Sequence, residues 1–158
     1  MDQYSLNEKI TIGIVLFKEN YDLIYKTLDK IRLFKIIIID NSFDLKLKKK
    51  IEDNFKIEKY ILNKKNLGFS AGYNQTLKLC ETDYFLILGP DCVIEEKSIL
   101  KLYEKMRSDE NCFLTTATSY DKENKLKYTG GLLPENGDKK FPLNLEGDVC
   151  VENTLGSC

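Results

Sequence analysis

Five short apolar runs punctuate the chain, at Ile10 to Phe17, Lys35 to Ile39, Lys59 to Leu62, Tyr84 to Leu88 and Cys112 to Thr116. They are rich in isoleucine, valine and aromatic residues, and their apolar positions follow one another instead of alternating with polar ones. That is the pattern of parallel strands buried on both faces. The segments between them carry apolar residues at helical spacing: Ile24, Thr27, Leu28 and Ile31; Leu47, Ile51 and Phe55; Tyr73, Leu77 and Cys80; Ile99, Leu102, Tyr103 and Met106. Asn20 and Asp44 stand where the first two helices need N-caps. Regular alternation of strand and helix from residue 10 to about 117 implies right-handed crossovers, hence an α/β fold with a Rossmann-like, doubly wound, mostly parallel sheet.

After Ser119 the pattern changes. Turn residues at Asp121, Asn124, Gly130, Gly131, Pro134, Asn136, Gly137, Asp138, Pro142 and Gly147 separate short apolar pieces, which predicts loops and edge strands over 118–158. With 158 residues, 42% of them hydrophobic, the expectation is a single domain with one core of ordinary size.

Charge narrows the possible partners. Lys and Arg number 24 against 25 Asp and Glu, a formal charge of -1, so nothing attracts nucleic acid or an anionic surface at long range. The densest basic run, Lys48 to Lys50, reads as a solvated helix face. No segment is apolar for long enough to span a bilayer, and the polar start lacks the parts of a signal peptide, so the expected location is the cytoplasm. Five widely spaced cysteines (Cys80, Cys92, Cys112, Cys150 and Cys158) form no CxxC pair and predict reduced thiols. The chain has no histidine, which removes histidine triads, ligands and bases and leaves carboxylates, hydroxyls or a metal to carry any chemistry.

Two of the apolar runs end abruptly in an acid: the second at Asp40, Asn41 and Ser42, the fourth at Gly89, Pro90 and Asp91. Open α/β sheets bind ligands where parallel strands leave the sheet, so these acids are the candidate nucleotide and metal residues. Neither GxGxxG nor GxxxxGK[ST] follows the first strand, which argues against a dinucleotide dehydrogenase and a P-loop NTPase. Between the two acids lies Asn66 to Asn74, which reads N-x-G-F-x-x-G-x-N.

The order and spacing of these three elements resemble the family 2 glycosyltransferases of GT-A fold, in particular their rhamnosyltransferase-like branch, from Ile10 to the end of the chain. The resemblance implies an inverting transferase that takes its sugar from a nucleoside diphosphate, with dTDP-rhamnose or a UDP-sugar as donor and a glycan or lipid-linked molecule as acceptor. It places the loop from Leu16 to Glu19, including Phe17, at the nucleotide, Asp40 at its base, and Asn41 among the nucleotide-binding residues. It runs Asn66, Gly68 and Asn74 past the nucleoside and puts Mg²⁺ or Mn²⁺ on Asp91. Chemistry agrees with two of these roles. A carboxylate can accept the imide N–H of uracil or thymine, and hard divalent cations prefer carboxylate and phosphate oxygens. Each residue also has a structural reading: Asp40 as a turn former, Asp91 as a helix cap, Gly68 and Gly72 as a turn and a helix start, Asn74 as a cap in the first helical turn.

Two departures from the family pattern stand out. Gly89 occupies the place, two residues before the metal aspartate, where many members have an acid or asparagine. The general base and acceptor-binding part that the resemblance implies are expected beyond Cys158, as in a truncated chain. An exposed patch near Val149 to Leu155, self-association, and peripheral membrane contact of the intact enzyme are further expectations. The competing readings are a nucleotide-sugar-binding fragment without catalysis, a flavodoxin-like or receiver-like signalling module, and a nucleotidyltransferase. A receiver needs an acid pair just after the first strand, where this chain has Lys18 and Glu19; a nucleotidyltransferase needs an early glycine-rich basic loop, which is absent.

Overall fold

The computed structural model describes residues 6–128. The chain groups into two compact units, one running to Leu100 and one from Lys101. In the first unit β1 (Ile10–Leu16), β2 (Lys35–Asp40), β3 (Lys59–Leu62) and β4 (Tyr84–Ile87) form an all-parallel sheet in the order β3-β2-β1-β4. The strands alternate with α1 (Tyr21–Ile31), α2 (Leu45–Glu52) and α3 (Phe69–Leu79), and α4 (Glu96–Ser108) follows β4. This is the expected α/β, Rossmann-like architecture. Winding runs outward from β1 through β3 and then returns to β4 on the other side of β1, so the β1/β4 boundary is the point where strand order reverses.

The core follows from the composition of β1 and β2. Ile12, Ile14, Leu16, Ile36, Ile38 and Ile39 are fully buried, as consecutive isoleucines must be when both faces of a strand are covered. Helix α1 buries Ile24, Thr27, Leu28 and Ile31, the four positions its spacing predicts, and begins where the Asn20 side chain accepts the Asp22 N–H at 2.8 Å. Asp44 caps α2 in the same way, accepting from Lys46 and Leu47 at 2.9 Å. The basic run behaves as a solvated face, with Lys48 and Lys49 paired to Glu52 and Asp53 one turn on.

Helix α3 departs from expectation. Its inward residues are Gly72, Tyr73 and Thr76; Leu77 is 53% exposed and Cys80 lies just past the helix end. The cause is close approach to β1. A Cβ on Gly72 would stand 2.7 Å from Val15 Cγ1, and one on Gly13 would stand 2.7 Å from Thr76 Oγ1, so the face packed on the strand is built of small residues and is not marked by large apolar ones.

The expected fifth strand, Cys112 to Thr116, is absent. This stretch is irregular, with Phe113 89% and Leu114 68% exposed, because strand propensity expresses itself through pairing, and none of the described strands pairs with it. The second unit instead contains a small antiparallel hairpin, β5 (Ser119–Tyr120) with β6 (Leu126–Tyr128). Its turn is organised by Asp121, whose Oδ1 accepts the Glu123 and Lys125 N–H groups at 2.9 Å, with Asn124 at φ 58°. The expected apolar patch at Val149 to Leu155 and the turn residues from Gly130 onward lie outside the described residues. Among the described residues no helix is long and apolar enough to cross a membrane.

The packing of α3 gives a direct test. Gly72→Ala places its methyl against Val15 and is expected to cost about 1–3 kcal/mol of unfolding free energy by urea denaturation, most of it recovered in the Gly72→Ala, Val15→Ala double variant.

Candidate functional site

Parallel register brings the strand exits level: Leu16 of β1 lies beside Asp40 of β2, and Asp40 beside Leu62 of β3. Backbone bonds continue past the strands, from Asn41 N–H to the Leu16 carbonyl at 2.8 Å and from Leu88 N–H to the Gly13 carbonyl at 3.1 Å. The segments that follow each strand therefore share one edge of the sheet, and Phe17, Asp40, Asn41, Asn66, Gly68 and Asp91 belong to the ends of these strands or the segments after them.

The turn after β2 is centred on Asp40, which is fully buried. Its Oδ1 accepts the Ser42 N–H at 2.7 Å and the Ser42 hydroxyl at 2.6 Å; its Oδ2 accepts the Asp44 N–H and the Tyr60 hydroxyl, both at 3.3 Å. A carboxylate has about four lone-pair positions, and all are used inside the protein. The same charge, after burial itself, pushes the Tyr60 phenol above its ordinary range.

Asn41 is also buried and also directed at its own chain. Its Nδ2 donates to the Gly68 carbonyl at 3.2 Å, and its Oδ1 accepts from Asn63 Nδ2 at 2.8 Å and the Leu67 N–H at 3.5 Å. Asn63 in turn bonds Gln75 of α3 at 2.7 Å, so the side-chain amides that follow β2 and β3 form one connected network with α3. Asn66 makes an Asx turn to the Gly68 N–H at 2.8 Å, and Gly68 adopts φ 82° with open space around its missing Cβ. Backbone conformation thus explains Gly68, and contact with Val15 explains Gly72. Asn74 is exposed, but it lies in the second turn of α3, not the first as its spacing suggested.

The exit of β4 is fixed from two sides. The Tyr73 hydroxyl donates to the Leu88 carbonyl and the Thr27 hydroxyl to the Pro90 carbonyl, both at 2.9 Å. Burial pushes the Tyr73 phenol up to about 12, so it remains a donor. These hydroxyls anchor a turn that leaves Asp91 exposed. Neither Thr27 nor Tyr73 stood out in the sequence as anything but core.

Two further features were not legible. Glu19, half-buried after β1 in the loop already assigned to the nucleotide, is held above the usual carboxylate range, first by desolvation and then by the charge of Asp91 after β4. An open depression of about 610 Å³ is lined by Lys18, Glu19 and the turn from Ser42 to Lys46. Phe17 and Phe43, 43% and 45% exposed, belong to the β1 and β2 exit segments at this edge.

Comparison with protein-family models decides the class: the model for glycosyl transferase family 2 matches residues 11–154, nearly the whole chain. The chain belongs to glycosyl transferase family 2. A search of curated proteins returns no match. As a member of glycosyl transferase family 2 the protein is a glycosyltransferase, with a nucleotide sugar as donor and a second molecule as acceptor.

Members of the family often use a divalent metal. Among the described residues no group of three or more His, Cys, Asp or Glu gathers to hold one. The donor set nevertheless fits a cation that is shared with a ligand. Asp91 is exposed, Glu19 lies close enough to feel its charge, and hard cations complete their oxygen shell from phosphates.

The raised Glu19 carboxyl has a consequence for stability. The folded protein holds this proton more tightly than the unfolded chain, so ionisation of Glu19 opposes folding as pH rises through its raised value and has no effect well below the ordinary value of 4.5. Glu19→Gln is therefore expected to melt at a higher temperature than the parent at pH 7, with the gap closing as pH falls below 4.5, measured as melting temperature against pH.

Proposed function

We propose that the strand-exit edge of the first unit is the donor site of an inverting glycosyltransferase that uses a pyrimidine nucleoside-diphosphate sugar, dTDP-rhamnose or a UDP-sugar, and passes the sugar to a glycan or lipid-linked acceptor. The observation that carries this reading is the gathering of the exits of β1, β2 and β4 at one sheet edge, with an exposed acid, Asp91, following β4 at the reversal of strand order, in a chain of this family.

In this reading the nucleoside lies along the exits of β1 to β3, against Phe17, the turn after Asp40 and the segment from Asn66 to Phe69. Asn41 works from beneath by tying that segment to the β2 exit, and Gly68 supplies the backbone bend. Asn74, exposed on α3, is available to the nucleoside or the sugar.

The diphosphate lies toward the β4 exit. Asp91, whose charge reaches the Glu19 carboxyl, would hold Mg²⁺ or Mn²⁺, and such a cation would offset the charge that develops on the departing diphosphate. Gly89 is buried in the turn and has no side chain to offer as a second ligand, so the nucleotide must bring the remaining oxygens. Thr27 and Tyr73 keep Asp91 in place through the Pro90 and Leu88 carbonyls. The acceptor hydroxyl needs a separate base to attack the anomeric carbon with inversion, because the lone pairs of Asp40 are occupied and Asp91 serves the cation.

Differential scanning with nucleotides tests the reading. UDP or dTDP at about 100 times its Kd is expected to add ~2.7 kcal/mol, a melting shift of several degrees, when Mn²⁺ is present and little when it is absent. GDP and ADP should shift the transition less. Asp91→Asn should lose the metal-dependent part while melting like the parent without ligand. Equal shifts from all four nucleotides, or full metal-dependent binding by Asp91→Asn, would contradict the proposal.

A further inference from the structure

We propose that Asp40 is a positioning residue: its carboxylate shapes the turn after β2 and, through Ser42, the end of β1, and the nucleotide is held by the outer surface of these turns without touching the carboxylate. This rests on the donor site proposed above and assigns a different role to its buried acid.

Three observations converge on it. Asp40 is fully buried, and its two oxygens already take four donors, from Ser42 twice, Asp44 and Tyr60. An imide N–H could reach it only by displacing one of them and uncovering the carboxylate, which would leave a buried donor unpaired. Next, the Ser42 hydroxyl that donates to Asp40 also accepts the Lys18 N–H at 3.1 Å, so one hydroxyl joins the exits of β1 and β2. Lastly, the residues on either side of this link are in left-handed backbone conformations, Lys18 at φ 57° and Phe43 at φ 56°. For side chains of this size such conformations are strained and persist where surrounding bonds hold them.

The two strained residues line or border the depression at this edge. Lys18 and Phe43 both face it, together with Ser42 and Asp44. Asp40 lies beneath as the common anchor, since both Ser42 and Asp44 bond to it. The left-handed turn at Phe43 sets the direction in which its ring projects, and the one at Lys18 carries the chain from β1 toward Glu19. A carboxylate in this role controls how well any nucleotide fits, whereas a carboxylate that reads a base controls which base fits.

That difference is measurable by calorimetric titration of UDP and CDP with Mg²⁺ present, alongside amide hydrogen exchange without ligand. Ser42→Ala removes the link while leaving Asp40 in place. It is expected to weaken UDP and CDP in parallel, by about tenfold, and to speed exchange of the Lys18 amide by about tenfold or more. Ser42→Thr, which keeps the hydroxyl, should restore both. Asp40→Asn should weaken both nucleotides with their ratio unchanged. The proposal is overturned if Asp40→Asn changes the UDP to CDP ratio tenfold while Ser42→Ala binds like the parent, or if Lys18 exchange is indifferent to Ser42→Ala. Failure of the parent to bind either nucleotide would instead remove the donor-site reading, and Lys18 exchange would still decide whether Ser42 joins the two strand ends.

Discussion

A carboxylate sealed inside the sheet edge organises the strand exits of this protein. Asp40 has no access to water, so its charge must be met by hydrogen bonds from the protein, and the nearest donors are the backbone and hydroxyl groups of the turn that follows it. Meeting that demand curls residues 40–44 into a tight turn, sets Asp44 at the start of α2 as its cap, and draws in Tyr60 from β3. One ionic requirement thereby links three strands and a helix. The sheet beneath can only be as regular as it is because β1 and β2 are built almost wholly of buried apolar residues, which leaves most of the polar accounting to their ends.

The second organising feature is that the site's apparent functional residues divide into those that face inward and those that face out. Asp40, Asn41 and Asn63 bond to their own protein, whereas Asp91, Asn74 and Phe17 present exposed groups. The inward set makes the outward set rigid: Asn41 holds Gly68, and Thr27 and Tyr73 hold the carbonyls that precede Asp91. Preorganisation of this kind is what a donor site needs, because a diphosphate released from a floppy edge would lose the orientation on which transfer depends.

Most of the fold could be read from the sequence because long-range order here is written in local chemistry. Consecutive isoleucines mark buried parallel strands, and the caps at Asn20 and Asp44 mark helix starts. The inner face of α3 was hidden because Gly72 and Thr76 pack by being small, a signal that large-residue spacing does not carry. Cys112 to Thr116 looked like a strand since Phe113 and Leu114 have the propensity, yet propensity without a partner leaves them exposed. At the site, the acids at the ends of β2 and β4 were visible as abrupt polar stops. What they do was not, because the burial of Asp40, the anchoring by Thr27 and Tyr73 and the influence of the Asp91 charge on Glu19 all arise from the packing of elements distant in the chain.

The central claim, that the nucleotide occupies the strand-exit edge at the reversal between β1 and β4, is tested most directly by mapping amide chemical shifts of isotope-labelled protein during titration with UDP and Mg²⁺. Changes concentrated at residues 17–19, 42–45, 66–69 and 89–92, with the opposite ends of the strands near Lys9, Lys35, Lys59 and Asp83 unmoved, are the expected result. Changes centred on those opposite ends, or spread evenly over the sheet, would contradict it.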